Sequence, residues 1–273
     1  MYVLFIGAHP DDAESAAGGT LALLARKGHR VRMLSVSNGD AGHFASEYLE
    51  DRSRLADRRR QEAAEAAGLI DAEAADMDAH DGEVVADLEW TRKVTRAIRG
   101  FGPTGQGPDL VITHRPVDYH RDHRSTSRLV LDSAYMLTVP MFCPETPHLR
   151  SNPVIAYHAD SFTEGGPFRP DVLVDIEPVC ELKARMLCAH ASQMFEWLPY
   201  NSGRLDEVPP DPAGRLAMML QRVERGGRAR AELARRTGVR VGPVATCTLA
   251  ELFQISEYGR QPDDENLRAL FGG

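Results

Sequence analysis

Two short stretches of this chain carry the residue types that bind a metal ion and move protons. The first is Ala8-His9-Pro10-Asp11-Asp12-Ala13-Glu14 and the second is His120-Arg121-Asp122-His123-Arg124-Ser125-Thr126. Imidazole nitrogen and carboxylate oxygen are ordinary zinc ligands. His9 and Asp12 can point into one cleft if the chain turns between them, and Pro10 at that turn cannot continue a strand ladder. Asp11 need not bind the ion. A carboxylate beside it can take the proton of an attacking water, as a general base must. The plain alternative is that Asp11 or Asp12 caps a helix, a position that favours Asp. His-Pro-Asp-Asp together at a strand end weighs against that alternative.

In the second stretch His120 and His123 flank Asp122. One histidine can bind the metal while the other polarises a substrate carbonyl, and Asp122 can orient one ring by accepting its N–H. Any one of these histidines alone is more often a hydrogen-bonded surface residue. The two stretches together supply two histidines and a carboxylate with metal positions left open. That ligand set suits zinc hydrolysis and also a non-haem iron oxygenase. A base beside the metal favours hydrolysis.

The surrounding elements must bring the two stretches together. Residues 2–7 are short, apolar and β-branched, and predict a strand buried on both faces. Thr20–Lys27 predicts a helix stopped by Gly28, and Val31–Val36 a second buried strand. Ser53–Ala67 and Asp87–Arg99 predict helices closed by Gly68 and Gly100. A strand at Asp109–Thr113 follows the glycine-rich loop 102–108, which precedes a strand and so does not match a phosphate-cradling turn. His123–Leu137 predicts a helix, Pro153–His158 and Asp171–Ile176 strands, and Glu177–Ala191 a helix. This alternation predicts a single α/β domain with a Rossmann-like, mainly parallel sheet and helices on both faces. The core covers about 1–195. After the linker Glu207–Pro212, a C-terminal helical extension of about 205–273 packs on it, with Ala213–Arg236 its main helix. In such a sheet, ligands bind beyond the carboxyl ends of the strands, where both stretches fall.

The bulk properties narrow the function classes. The chain has 273 residues and a net charge of −8, with 42% hydrophobic and 26% charged residues. That balance is ordinary for a soluble globular protein and argues against nucleic-acid binding, which needs clustered basic residues. The basic runs Arg52–Arg60 and Arg222–Arg236 are interleaved with Ala, Glu and Leu and read as solvated helix faces. Cys143, Cys180, Cys188 and Cys247 form no C-x-x-C pair, so free thiols in a reducing compartment are expected. No signal-peptide pattern and no run of ~18 apolar residues is present. The expectation is a soluble cytoplasmic protein with no membrane partner.

The two stretches resemble signatures of the PIG-L/LmbE-like family of metal-dependent N-deacetylases. The first is similar to AHPDDE with one residue inserted before the Glu, and the second to HPDH-x-x-T with Arg for Pro. Supporting similarities are Ser37–Gly42 after the second strand, Arg59-Arg60-Gln61-Glu62, His80-Asp81-Gly82-Glu83, His190-Ala191-Ser192-Gln193, and Leu249-Ala250-Glu251-Leu252-Phe253. The resemblance implies one Zn²⁺ per chain, or another divalent ion such as Fe²⁺, held by His9, Asp12 and His123. It implies Asp11 as general base and His120 as the group that stabilises the oxyanion or protonates the leaving amine, with Asp122 beside it. Arg59 and Asp81 would face the substrate, and Gln193 is a further candidate contact. Tyr119 receives no role, and the region 138–170 has little counterpart in short sugar deacetylases. The implied reaction removes acetyl from an N-acetylated amino-sugar conjugate. A related amidase cleaving a larger amide, such as a thiol-conjugate, shares the same site. A non-catalytic metal- or nucleotide-binding Rossmann protein is the alternative from another class, disfavoured by the lack of G-x-G-x-x-G after the first strand. The 213–236 helix and the apolar tail could form a subunit contact.

Overall fold

The computed structural model describes residues 1–272. The strands are β1 (Tyr2–Gly7), β2 (Arg30–Ser37), β3 (Glu73–Ala79), β4 (Leu110–Thr113), β5 (Val154–His158), β6 (Val172–Asp175) and β7 (Ala250–Ile255). The helices are α1 (Asp12–Arg26), α2 (Ser46–Glu50), α3 (Arg52–Gly68), α4 (Leu88–Arg99), α5 (Arg121–Met136), α6 (Cys180–Ala189), α7 (Leu198–Asn201), α8 (Pro212–Thr237) and α9 (Asp264–Phe271). All seven strands form one sheet in the order β3-β2-β1-β4-β5-β7-β6. Neighbours from β3 to β5 pair in parallel, while β7 runs antiparallel between β5 and β6.

Strand periodicity explains the layers. Val3 and Phe5 of β1 point to one face and belong to a buried cluster shared with residues of α1, α6 and α8. Leu4 and Ile6 point to the other and meet residues of α4 and α5. A strand covered on both faces is apolar throughout, which is why residues 2–7 show no alternation. Each such side chain, fully buried, contributes about 1.5–3 kcal/mol.

The chain leaves β1 toward β2 and β3 on one side, and returns through β4 and β5 on the other. The crevice between the carboxyl ends of β1 and β4 is therefore the switch point at which open α/β sheets bind ligands. The His9–Asp12 stretch leaves β1 at this edge, and the His120–His123 stretch follows β4.

Four elements depart from the sequence expectation. α1 begins at Asp12 rather than Thr20. Gly18 and Gly19 weaken the helical signal, but Gly19 leaves room for Ile176, which a Cβ there would approach to 2.6 Å. β3 carries Glu73, Asp76 and Asp78 and escapes a hydrophobic pattern, as a charged edge strand does. The helix expected over 177–191 is a 3-10 turn and α6, followed by a π-helical turn over Ser192–Trp197. The tail is not helical alone, since β7 completes the sheet and α9 follows it. Among the described residues no helix is long and apolar enough to cross a membrane.

Candidate active site

The chain turns sharply after β1. The amides of Asp11 and Asp12 donate to the His9 carbonyl at 2.9 and 3.2 Å. Asp12 Oδ2 folds back and accepts the amides of Ala8 and His9, both at 2.8 Å. Gly7 makes this possible, because a Cβ there would lie 2.8 Å from the Asp12 Cβ. Asp11 occupies the N-cap position of α1 but accepts no capping bond. Its Oδ1 instead takes Arg59 Nη2 at 2.9 Å. Helix capping is thus not what Asp11 does here.

His9, Asp12 and His123 converge at this turn. His9 Nδ1 lies 3.3 Å from His123 Nε2 and 3.8 Å from Asp12 Oδ2, and His123 Nε2 lies 3.6 Å from Asp12 Oδ1. Bonds of about 2.1 Å to a tetrahedral ion would set ligand atoms roughly 3.4 Å apart. The far nitrogen of each ring faces carboxylate. His9 Nε2 lies 3.1 Å from Asp81 and 3.5 Å from Asp122, and His123 Nδ1 lies 3.1 Å from Asp118. Those carboxylates favour a proton on the far nitrogens. The facing nitrogens then present lone pairs to each other and to Asp12, an arrangement that a cation between them would satisfy. Without a cation, protons take that place. Burial opposes charge on His9, but Asp122, Asp81 and Asp12 raise its pKa to about 10. Asp81 is buried too, yet the facing His9 lowers it to about 2.

His120 caps α5, and its Nδ1 accepts the Asp122 amide at 3.2 Å. The neutral ring therefore carries its proton on Nε2. Burial, with His9 and His123 nearby, lowers the His120 pKa and keeps the ring neutral. The ring packs edge-on against His9, with centroids 4.6 Å apart, and lines the same cavity. A neutral N–H donor beside the converging ligands can stabilise charge developing on a carbonyl oxygen.

The other expected residues fall into place differently. Arg59 is 2% exposed, not on a solvated face. Besides Asp11 it donates to the Gly39 carbonyl at 3.2 Å and lies 3.8 Å from Asp81. It lines the cavity, but its nearest charged partner is Asp11. Asp81 also lines the cavity while standing behind His9. Asp122 was expected beside the reacting groups. It is fully buried and does not line the cavity, because it accepts the Gly82 and Val84 amides at 2.6 and 3.3 Å. Gln193 lines the cavity from the π-helical turn and donates to the Gly42 carbonyl at 3.1 Å. His190 does not reach the cavity; it is buried 3.2 Å from Glu14. Tyr119 stands at the rim, 72% exposed, edge-on to His120 and His123.

Three residues absent from the sequence prediction complete the site. Asp118 faces His123, as described. His114 Nε2 lies 3.2 Å from Asp12 Oδ2, and its Nδ1 lies 3.0 Å from His158 Nε2. His114 immediately follows β4 and His158 is the last residue of β5. Their position at carboxyl strand ends was a usable signal, but neither sits in a motif-like cluster.

The cavity measures about 730 Å³, a normal size for a small-molecule site. His9, Asp11 and Asp12 line it together with residues of α8.

Residues 4–134, just under half of the chain, match the family described as PIG-L: GlcNAc-PI de-N-acetylase. The match includes both the His9–Asp12 and the His120–His123 stretches and ends within α5. Diacetylchitobiose deacetylase of Thermococcus kodakarensis is 28% identical over 72% of this chain and 74% of its own length. The structure of N,N'-diacetylchitobiose deacetylase from Pyrococcus horikoshii superposes with a TM-score of 0.68 at 25% identity, over 94% of this chain and 84% of that one. The 4-carboxy-2-hydroxymuconate hydratase GalB of Pseudomonas putida has the same fold, with a TM-score of 0.70 at 21% identity over 96% and 99% of the chains. One fold thus houses different reactions among the proteins it is similar to, so for this chain the activity must be argued from the site.

Proposed function

We propose that this protein is a metal-dependent hydrolase that releases acetate from an N-acetylated amino sugar or its conjugate. The convergence of His9, Asp12 and His123, with Asp11 held beside them by Arg59, carries this reading. The similarity to two diacetylchitobiose deacetylases supports it. A hydrolytic base next to the ligands is what separates the site from an oxygenase with the same donor set.

Zinc held by His9, Asp12 and His123 would supply Lewis acidity, polarising the acetamide carbonyl and acidifying water. Asp11 is the general base that takes the water's proton as the oxygen attacks the carbonyl carbon. Arg59 fixes the carboxylate's position. His120 donates its Nε2–H to the carbonyl oxygen as negative charge builds there. The proton gathered by Asp11 is then available to the departing nitrogen, so acetate and a free amine result. Asp118 orients His123, Asp81 and Asp122 orient His9, and His114 steadies Asp12.

The test is acetate release from N,N'-diacetylchitobiose by zinc-loaded protein. Turnover that stops on chelation and returns with zinc supports the reading. No acetate from this or any other N-acetyl amino sugar would overturn it.

A further inference from the structure

The π-helical turn Ser192–Trp197 follows α6, and such turns often mark functional positions. Gln193 and Trp197 of this turn line the cavity, and so does Gly42. Gln193 is 3% exposed, and its amide has a fixed sense. Its Nε2 donates to the Gly42 carbonyl at 3.1 Å and to the Ser192 hydroxyl at 3.2 Å. That hydroxyl accepts, because its own proton goes to Glu62 at 2.5 Å. A flipped amide would set Oε1 against the Gly42 carbonyl oxygen. Glu62 is held in turn, by the Ser192 amide at 2.9 Å and by Arg58 at 3.1 Å. Oε1 of Gln193 accepts no hydrogen bond from the described residues.

This acceptor has a donor beside it. A Cβ built on Gly42 would lie 3.3 Å from Gln193 Oε1 and 3.5 Å from Trp197 Nε1. Gly42 is not among the positive-φ glycines, so its backbone does not require glycine. What a side chain there would take is the space beside both atoms. The Trp197 Nε1–H has no acceptor among the described residues, although an indole N–H withdrawn from water usually finds one. The ring is anchored. It stacks on Tyr200 with centroids 6.1 Å apart, and Tyr200 stacks on Phe44 at 4.0 Å. The preceding residue, Glu196, meets His43 at 2.8 Å and Arg58 at 2.6 Å. Both polar atoms are thus held in position without a ligand.

We infer that Gly42, Gln193 and Trp197 form a subsite that reads one hydroxyl group of the substrate. Oε1 accepts the hydroxyl proton, and the indole N–H donates to the hydroxyl oxygen. This rests on the deacetylase reading, and names residues that decide which amino sugar the cavity takes. A hydroxyl is the simplest group that donates and accepts at one atom. A carboxylate would set its charge against Oε1, and an ammonium would offer the indole N–H no lone pair. A site built to bond a hydroxyl rejects the analogue that lacks it, since its own polar groups are then left unpaired.

N-acetylglucosamine and its 3-, 4- and 6-deoxy analogues test the subsite. With zinc-loaded protein, one analogue should fall about tenfold below the parent sugar in kcat/KM, mainly through KM. Trp197→Phe keeps a ring and removes the donor, so it should cut that ratio about threefold by lowering the parent sugar alone. Gly42→Ala obstructs both atoms and should bring the ratio close to one. Trp90→Phe, on α4 and outside the cavity, should keep it. A second readout does not need turnover. The chain has two tryptophans, so in chelated Trp90→Phe protein Trp197 is the sole indole. Its fluorescence should change on adding N-acetylglucosamine, and the same deoxy analogue should titrate about tenfold more weakly. That result without any deacetylation keeps the subsite and sinks the deacetylase reading. Equal use of all four sugars, or a ratio that Trp197→Phe and Gly42→Ala leave intact, overturns the subsite, as does a Trp197 signal that no sugar moves.

Discussion

Lys183→Met should destabilise the protein by about 3 kcal/mol, and the reason lies in how the tail is tied to the helix that starts at the site. Lys183 on α6 is 3% exposed and Glu251 on β7 is fully buried. Lys183 Nζ reaches Glu251 Oε1 at 2.5 Å and the Ser15 carbonyl at 3.0 Å. Glu251 also accepts the Gly19 amide, the Thr20 amide and the Thr20 hydroxyl, at 2.9, 2.7 and 2.6 Å. Removing one partner of a buried ion pair costs roughly 3–5 kcal/mol, because the other charge stays behind. The three remaining donors on Glu251 place the cost at the low end of that range. At roughly 2–4 °C per kcal/mol for a chain near this size, the melting temperature should fall by about 6–12 °C. Scanning calorimetry on chelated wild type, Lys183→Met, Glu251→Gln and the double variant measures it. The double variant should lose less than the two single losses added, since it leaves no lone charge. A Lys183→Met shift under about 2 °C, or strictly additive losses, would refute the claim that this pair joins β7 to α1.

Other predictions concern the site. His123→Ala removes one of three converging ligands, so elemental analysis should find most of the zinc lost; a full complement would take His123 out of the set. His120→Ala should keep zinc and lose roughly 10²–10³ in kcat, the usual cost of one oxyanion donor, measured by acetate release. In metal-free protein the carboxylates of Asp122, Asp81 and Asp12 outweigh burial and raise the His9 pKa from its ordinary 6.5 to about 10. A raised pKa contributes stability in full below pH 6.5 and loses it as pH rises through about 10. Chelated protein should therefore lose melting temperature across that window more steeply than a His9→Ala variant, and equal slopes would contradict the assignment.

Much of the site was legible because its chemistry is concentrated at two strand ends. His9-Pro10-Asp11-Asp12 and His120–His123 are short, rich in metal-binding types, and each follows a strand. The parallel core was legible because β1 and β2 are buried on both faces and read as apolar runs. What escaped depends on contacts distant in sequence. Nothing local marks Asp118 as facing His123, or His158 as backing His114. β3 was hidden because its stability comes from pairing with β2 and from Arg32 and Arg60 meeting its acids. β7 was taken for part of a tail because chain order does not reveal insertion between β5 and β6. Arg59 had the opposite difficulty. Its helix is rich in arginine, and only tertiary packing separates the buried Arg59 from the part-exposed Arg58 and Arg60.

The division of labour at the first stretch is open to one direct measurement. Asp11→Asn should be assayed in parallel for bound zinc and for acetate released from N,N'-diacetylchitobiose. Asp11 is not among the three converging ligands, so zinc should remain near one per chain. Loss of the general base should lower kcat by roughly 10²–10⁴. An Asp11→Asn protein that keeps its zinc and turns over at the wild-type rate would contradict the assignment of Asp11 as the base.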